Sequence, residues 1–206
     1  MKQSRQRLLT PKGAATRARI LAAAAKLVEA SGAHRMSLDE VMEASGVGKS
    51  QLYHYFADKD ALICEVIAFQ TERVFAAQNP FIEKLDSWRA LRQWRDALVQ
   101  INRQKHAVGG CPIGSLANEL ADRSETERLL LVTSFDRWAA FIVDGLKQMQ
   151  ARGELAPDAD PLKLATATLC AIQGGLLMAK TTRLTTPLEA ALDMAMEHIE
   201  RHRLRT

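Results

Sequence analysis

Lys49, Ser50, Gln51, Tyr53 and His54 place an ammonium, a hydroxyl, a carboxamide, a phenol and an imidazole on one short segment. Such groups meet phosphate oxygens and base edges: Gln can pair with adenine N6 and N7, and Lys attracts phosphate. The elements that must position them are legible on either side. Ser37 is followed three residues later by Glu40, a capping box in which the hydroxyl and the carboxylate each satisfy an orphan backbone N–H. Leu38, Val41 and Met42 then form a short apolar stripe, and Gly46 breaks the helix after Ser45. A second short helix from about Gly48 carries Leu52 and Phe56 inward and presents the polar residues between them outward. Two short helices joined by a Gly-containing turn, the second with a polar exposed start, describe a helix-turn-helix.

The same stretch resembles a known family. Gly46-Val47, Lys49, Leu52-Tyr53-His54-Tyr55-Phe56, Lys59 and Ala61-Leu62 are similar to the signature of the tetracycline-repressor-like (TetR) family of bacterial transcription regulators. Thr16 to Gly32 looks like that family's first helix. The matching segments cover the first third of the chain, and the remainder matches in architecture alone. The resemblance implies a DNA-binding role for Ser37, Lys49, Ser50, Gln51, Tyr53, His54 and Lys59. Gln51 would face base edges, Tyr53 and His54 the DNA backbone, and Lys49 and Lys59 phosphates, the last aided by a helix start. Ser37 would offer its N–H and hydroxyl to a phosphate as well as capping a helix, with Arg17 and Arg35 as further backbone candidates. The alternative for Tyr53 is packing against the first helix. Gly48 stands where the family usually has a polar residue, which removes one phosphate contact and loosens the helix start.

Charge is placed unevenly. Residues 1–60 hold ten Lys/Arg and six Asp/Glu, while 61–206 hold eighteen of each, so the basic excess belongs to the segment with the motif. Lys2, Arg5, Arg7, Lys12, Arg17 and Arg19 face no acid in the first twenty residues. They read either as a solvated tail or, beside the motif, as an arm touching DNA. Cys64, Cys111 and Cys170 are odd in number and lack metal-ligand spacing, which favours reduced thiols and no metal or cofactor. No apolar core follows the basic N-terminus as in a signal peptide. The uncharged run Leu164 to Ala179 is shorter than the ~20 apolar residues of a spanning helix. A soluble, cytoplasmic protein without membrane contact is expected.

Helix punctuation predicts an all-α fold of about nine helices, with a helix-turn-helix domain over 1–60 and a ligand-binding and dimerisation domain over 61–206. Thr10-Pro11 opens the first helix, whose stripe is Ile20, Ala24, Leu27 and Val28, and Gly32 closes it. Asp58 caps a helix from Lys59 to about Gln78, within which the two domains meet. Further helices are expected over Lys84 to Lys105, Pro112 to Leu120, from Ser124 to Gly153 with Glu127 completing a capping box, and from Asp160-Pro161 through Met178. The last begins at Thr186-Pro187 with Glu189 as its capping-box partner and shows Leu188, Leu192, Ala195 and Ile199 on one face.

The helix before it is apolar nearly all round, as expected of a helix sandwiched between partners. Gly174, Gly175, Leu188, Leu192, Ala195 and Ile199 therefore read as a homodimer interface, the arrangement the resemblance also implies; a buried central helix in a monomer is the alternative. Phe75, Trp94, Cys111, Trp138, Phe141, Met149 and Gln173 are candidates to line a small-molecule pocket, each equally compatible with ordinary core. Cys111, before Pro112, sits where a helix dipole would favour thiolate; a small residue packing the turn is the other reading. Cys64 and Cys170 lie on apolar helix faces and are expected in the core.

The five histidines lack HExxH spacing, and neither GxSxG nor a phosphate loop is present, so the chain is not expected to be an enzyme. The leading expectation is a repressor released from palindromic double-stranded DNA by a small-molecule effector. A reactive-electrophile sensor acting through Cys111, or an effector-independent helical DNA binder, are the alternatives.

Overall fold

The computed structural model describes residues 10–204. Lys2, Arg5 and Arg7 of the expected arm lie outside them. Nine α-helices run through the described residues: α1 Pro11–Ser31, α2 Leu38–Ser45, α3 Lys49–Tyr55, α4 Lys59–Ala76, α5 Trp88–Gln104, α6 Pro112–Leu120, α7 Glu125–Ala151, α8 Pro161–Thr182 and α9 Thr186–Glu200. A single 3-10 turn, Phe81–Glu83, precedes α5, and the only β feature among these residues is an isolated bridge between Leu155 and Arg203. Two compact units divide between Phe69 and Gln70, inside α4 and not at its start. The first half of α4 belongs to the first unit because its Leu62, Ile63, Val66 and Ile67 are buried there.

Caps explain most of the boundaries. Thr10 accepts from the Gly13 N–H at 3.1 Å, and Gly32, at φ +89°, closes α1 by donating to the Val28 carbonyl. Asp160 receives the Leu162 and Lys163 N–H groups at the start of α8. One expected start moves and two expected capping boxes are not formed, for identifiable reasons. Ser87, accepting from Ala90 N–H at 3.2 Å, starts α5 four residues after Lys84, since Phe81–Glu83 coil into the tighter turn first. Ser124 caps α7 through Glu127 N–H at 3.4 Å, but the reciprocal half of the box is not formed and Glu127 is buried. Thr185, without a side-chain bond, precedes α9, which puts Leu188 and not Glu189 at the third helical position, and Glu189 pairs with Arg103 of α5.

In the second unit α8 packs on α7 and α9, and α5 on α9. Arg92 pairs with Glu200 at 3.2 Å, Arg95 with Asp193 at 2.6 Å, and Arg103 with Glu189, so α5 and α9 run antiparallel. These pairs are solvated and worth at most about 1 kcal/mol each; they fix register more than stability. α8 extends past the expected Met178 to Thr182 and stops on Arg183 at φ +59°. At this length it is the one helix among the described residues long and apolar enough to cross a bilayer by length and composition. Its neighbours and its buried Thr168 and Gly175 place it instead in a helix bundle. Thr166, Thr168, Thr181 and Thr182 each return their hydroxyl proton to the carbonyl four residues earlier.

One close approach fixes the start of α5. A Cβ at Gly145 of α7 would collide with the Leu85 carbonyl, and Arg152, two turns on, donates to the Asp86 carbonyl. Helix propensity alone would make Gly145→Ala stabilising by roughly 1 kcal/mol. We expect the opposite sign, a loss of about 1–3 kcal/mol from overpacking against rigid backbone, measured by urea denaturation. A stabilised variant would show that the Leu85 segment yields.

Candidate nucleic-acid interface

The recognition surface begins with what is hidden. Leu52 and Phe56 are buried, as are Ile20, Ala24 and Val28 of α1 and Val41 of α2 in the same unit. With those two fixed, helical periodicity turns the residues between them outward. Lys49, Ser50, Gln51 and His54 are exposed. Tyr53 is 45% exposed. His54 and Tyr55 meet edge to face, with ring centroids 4.9 Å apart. Gly48 begins α3 with no side-chain cap and open space where a Cβ would stand.

α2 is held more firmly. The Ser37 N–H and hydroxyl both donate to Glu40 Oε2 at 2.8 Å, and Ser37 Oγ accepts from the Glu40 N–H at 3.2 Å. The backbone bond from Ser37, then its hydroxyl, hold the Glu40 carboxyl below its ordinary value of 4.5. Gly46, at φ +65°, lets the chain leave α2 in a left-handed turn, and its N–H returns to Met42 and Glu43 carbonyls. Arg19 Nε donates to the Ser45 carbonyl at 2.8 Å and so ties α1 to the end of α2.

Several expected phosphate groups are already engaged. Both Ser37 donors serve Glu40 within the capping box. Lys59 donates to the His34 carbonyl at 2.9 Å and lies half-buried. The start of α4 carries the Asp58 carboxylate, which accepts from the Ala61 N–H at 2.7 Å; this negative cap stands where a phosphate was expected. Arg17 pairs with Glu65 at 2.7 Å and stacks over the Phe56 ring at 5.4 Å, a brace between α1 and α4. Arg35 and Lys12 are exposed. Neither the Arg17 nor the Arg19 tie has a sequence signature, because each joins residues far apart in the chain.

A short polar helix carried on a buried anchor and a capped partner is a helix-turn-helix, and the comparisons agree. Residues 20–66 match the model for bacterial regulatory proteins of the tetR family, and residues 87–195 match the tetracyclin repressor-like C-terminal domain. An HTH-type transcriptional regulator of Mycobacterium tuberculosis is 32% identical over 187 residues, spanning 84% of this chain and 88% of the relative. The chain belongs to the TetR family of DNA-binding transcription regulators. An HTH-type regulator of Bacillus subtilis is 27% identical over 175 residues, 84% of this chain and 89% of that one. A solved TetR regulator from Chloroflexus aurantiacus superposes with a TM-score of 0.80 at 27% identity, covering 95% and 100% of the two chains.

In this TetR-family protein the second unit brings together some of the expected pocket residues. Phe75 meets Trp138 at 6.1 Å and Phe141 at 5.4 Å, both edge to face. Trp94 is buried and donates its N–H to Gln78 at 2.9 Å. Met149 is buried in the same unit. Cys111 and Gln173 form a second cluster. Cys111 Sγ accepts from the Gly114 N–H at 3.4 Å and from Gln173 Nε2 at 3.5 Å. Burial pushes its thiol above the ordinary value of 9.0, against the opposing pull of those bonds. The thiolate expected from the helix dipole is therefore disfavoured, and Cys111 serves as a helix cap. Cys170 also departs from expectation: it is exposed, and Cys64 is half-buried. A separate open cleft of about 370 Å³ beside Phe81, Lys84 and Arg89 includes none of the expected lining residues.

The expected dimer residues need correction. Leu188, Leu192, Ala195 and Ile199 are buried within the chain itself, on the face of α9 that meets its own bundle. Gly175 faces the same way, with a Cβ there 3.0 Å from Ala191 Cβ and Leu188 Cα. Gly174 alone of the six is on the outside, with nothing within 4 Å. Leu177 and Met178 on α8 and Met194 on α9, none of them anticipated, are exposed.

The capping box sets a pH dependence of sign fixed by Glu40. Its folded-state pKa is depressed, so its stabilisation is complete above the ordinary value of 4.5 and is lost as pH falls through the lower folded value. Thermal melts of the wild type and Glu40→Gln from about pH 2 to 7 should show a wild-type advantage that closes on the acid side. A gap independent of pH would mean that the carboxylate charge plays no part.

Proposed function

We infer that this TetR-family regulator acts as a homodimeric repressor that binds a palindromic operator and is released by a small-molecule effector. The observation that carries the DNA half is the exposed Lys49–Ser50–Gln51–Tyr53–His54 surface held on buried Leu52 and Phe56. Lys49, Tyr53 and His54 contact the DNA backbone, while Gln51 reads base edges. Ser50 lies on the same exposed start. The dimer half rests on the outer faces of α8 and α9. Leu177 is 65% exposed and Met194 61%, beside the open Gly174, an apolar surface that a second copy would cover. A two-fold dimer sets two recognition helices ~34–36 Å apart, the spacing of successive major-groove half-sites.

α4 runs unbroken from the first unit into the second, ending among the aromatic residues around Phe75. An effector bound in the second unit shifts α4, changes the spacing of the recognition helices and favours the state with weaker operator affinity.

Selection of bound sequences from random duplex DNA tests the operator reading. Lys49→Ala should weaken every duplex about equally and make the salt slope shallower by ~1, whereas replacing Gln51 should change the preferred bases. A protein that binds all duplexes alike at low and high salt would sink the reading.

Assembly is tested on the outer face. Leu177→Glu should leave the chain folded and yield monomers with lost operator binding, since an unpaired interfacial charge costs roughly 3–5 kcal/mol. Gly175→Arg should instead unfold the second unit, because its site lies against the chain's own α9. Sedimentation and circular dichroism separate the two effects; a Leu177→Glu protein that still sediments as a dimer would move the interface elsewhere.

A further inference from the structure

Arg17 is one of six cations that the first twenty residues set against no acid, the composition of a segment that grips phosphate. Its guanidinium is nevertheless committed within the protein. Nη2 lies 2.7 Å from Glu65 Oε1 of α4, and the guanidinium carbon stands 5.4 Å from the centroid of the Phe56 ring. An arginine can do both at once, because its fork pairs within the guanidinium plane while the face of that plane lies over a ring. The Arg17 and Glu65 side chains are 32% and 43% exposed, so the pair is partly solvated and its strength is modest.

What Arg17 covers is the end of α3. At Phe56 the backbone turns extended, with φ −132° and ψ 122°, and the Phe56 N–H closes the last turn on the Leu52 carbonyl at 3.0 Å. Seven residues give α3 too few internal bonds to hold its own axis, so its direction depends on buried Leu52 and Phe56. Two other cations tie this unit together. Arg19 donates to the Ser45 carbonyl at the end of α2, and Lys59 to the His34 carbonyl between α1 and α2. Those bonds end on α2 and on the loop before it, whereas the contacts of Arg17 end on the last residue of the α3 turn and on α4.

We propose that Arg17 is a positioning residue for DNA binding: joined to Glu65, it holds Phe56 and with it the orientation of α3, without touching the duplex itself. The assignment rests on α3 as the reading surface. Its consequence for Glu65 is opposite to what charge alone dictates. A carboxylate in a basic DNA-binding unit repels phosphate, and its removal ordinarily strengthens binding. Were Arg17 a phosphate contact, Glu65 would also compete with DNA for it, and the gain on removal would be larger. As the group that fixes Arg17 in place, Glu65 is required, and its removal weakens binding.

The probe is a labelled duplex enriched from random DNA by the wild-type protein. Affinity is read by fluorescence anisotropy over a salt series, well below the melting temperature of each variant. Glu65→Gln and Arg17→Met should each lower affinity about fivefold, the range open to one partly solvated pair. The salt slope should keep its wild-type value, since no phosphate contact is lost. The double variant should bind no more weakly than Arg17→Met, because both substitutions break the same tie. Arg17→Lys keeps the charge without the planar fork and should fall between wild type and Arg17→Met. Should Arg17→Met fail to fold, the sign of the Glu65→Gln effect decides alone.

A merely structural role would lower the melting temperature and leave the affinity of the folded protein unchanged, and that result overturns the proposal. So does tighter binding by Glu65→Gln with a slope shallower by ~1 in Arg17→Met, the signature of a phosphate contact. Lys49→Ala, measured alongside, separates this assignment from the reading beneath it. If Lys49→Ala weakens binding while Glu65→Gln does not, Arg17 alone is misassigned. If Lys49→Ala leaves affinity and slope unchanged, α3 is not the reading surface and the positioning role falls with it.

Discussion

A seven-residue helix cannot sustain itself in water, because the cost of nucleation exceeds what one turn of further hydrogen bonds returns. α3 exists because Leu52 and Phe56 are buried, and every outward group on it inherits its direction from those two contacts. The rest of the first unit serves that anchor. α2 is pinned at its start by Ser37 and Glu40 and at its end by Arg19, and Gly46 supplies the one backbone conformation that lets α3 leave at the required angle. Arg17 covers the Phe56 ring while joined to Glu65, so α4 is bound to the same anchor from the other side.

What could be read from the sequence was mostly local. Ser37 with Glu40, Gly46, Thr10-Pro11 and Asp160-Pro161 each declare a helix boundary because the group that caps lies within four residues of the group it caps. The polar start of α3 was legible for the same reason. The α9 stripe shows the limit of periodicity. Leu188, Leu192, Ala195 and Ile199 do form a buried face, but periodicity says that a face is covered and not which chain covers it. Cys111 shows a second limit, since its place at a helix start and its burial push the thiol in opposite directions and only the packed structure weighs them. Lys59 and Arg17 show a third: a cation in a basic segment can be committed to a distant carbonyl or carboxylate.

The two units hold themselves together by different means. The first places cations on the Ser45 and His34 backbone carbonyls and on the Glu65 carboxylate. The second relies on long helices with apolar contact, trimmed at its rim by the α5–α9 ion pairs and crossed inside by single neutral bonds such as Trp94 to Gln78. α4 belongs to both. It carries Lys59 and Glu65, bound elsewhere in the first unit, and Phe75, packed among the second unit's rings.

The threonines of α8 change how that helix should be weighed. Each hydroxyl of Thr166, Thr168, Thr181 and Thr182 is turned back onto its own helix, and what the side chain offers its surroundings is a methyl group. In contact with a neighbour such a threonine behaves as a small valine. A tally of side-chain types thus counts as polar a surface that wets poorly, carries no titratable group at these positions and loses little of its adhesion when salt is added. Whatever lies against α8 at these positions is held by forces that neither acid nor ionic strength readily loosens.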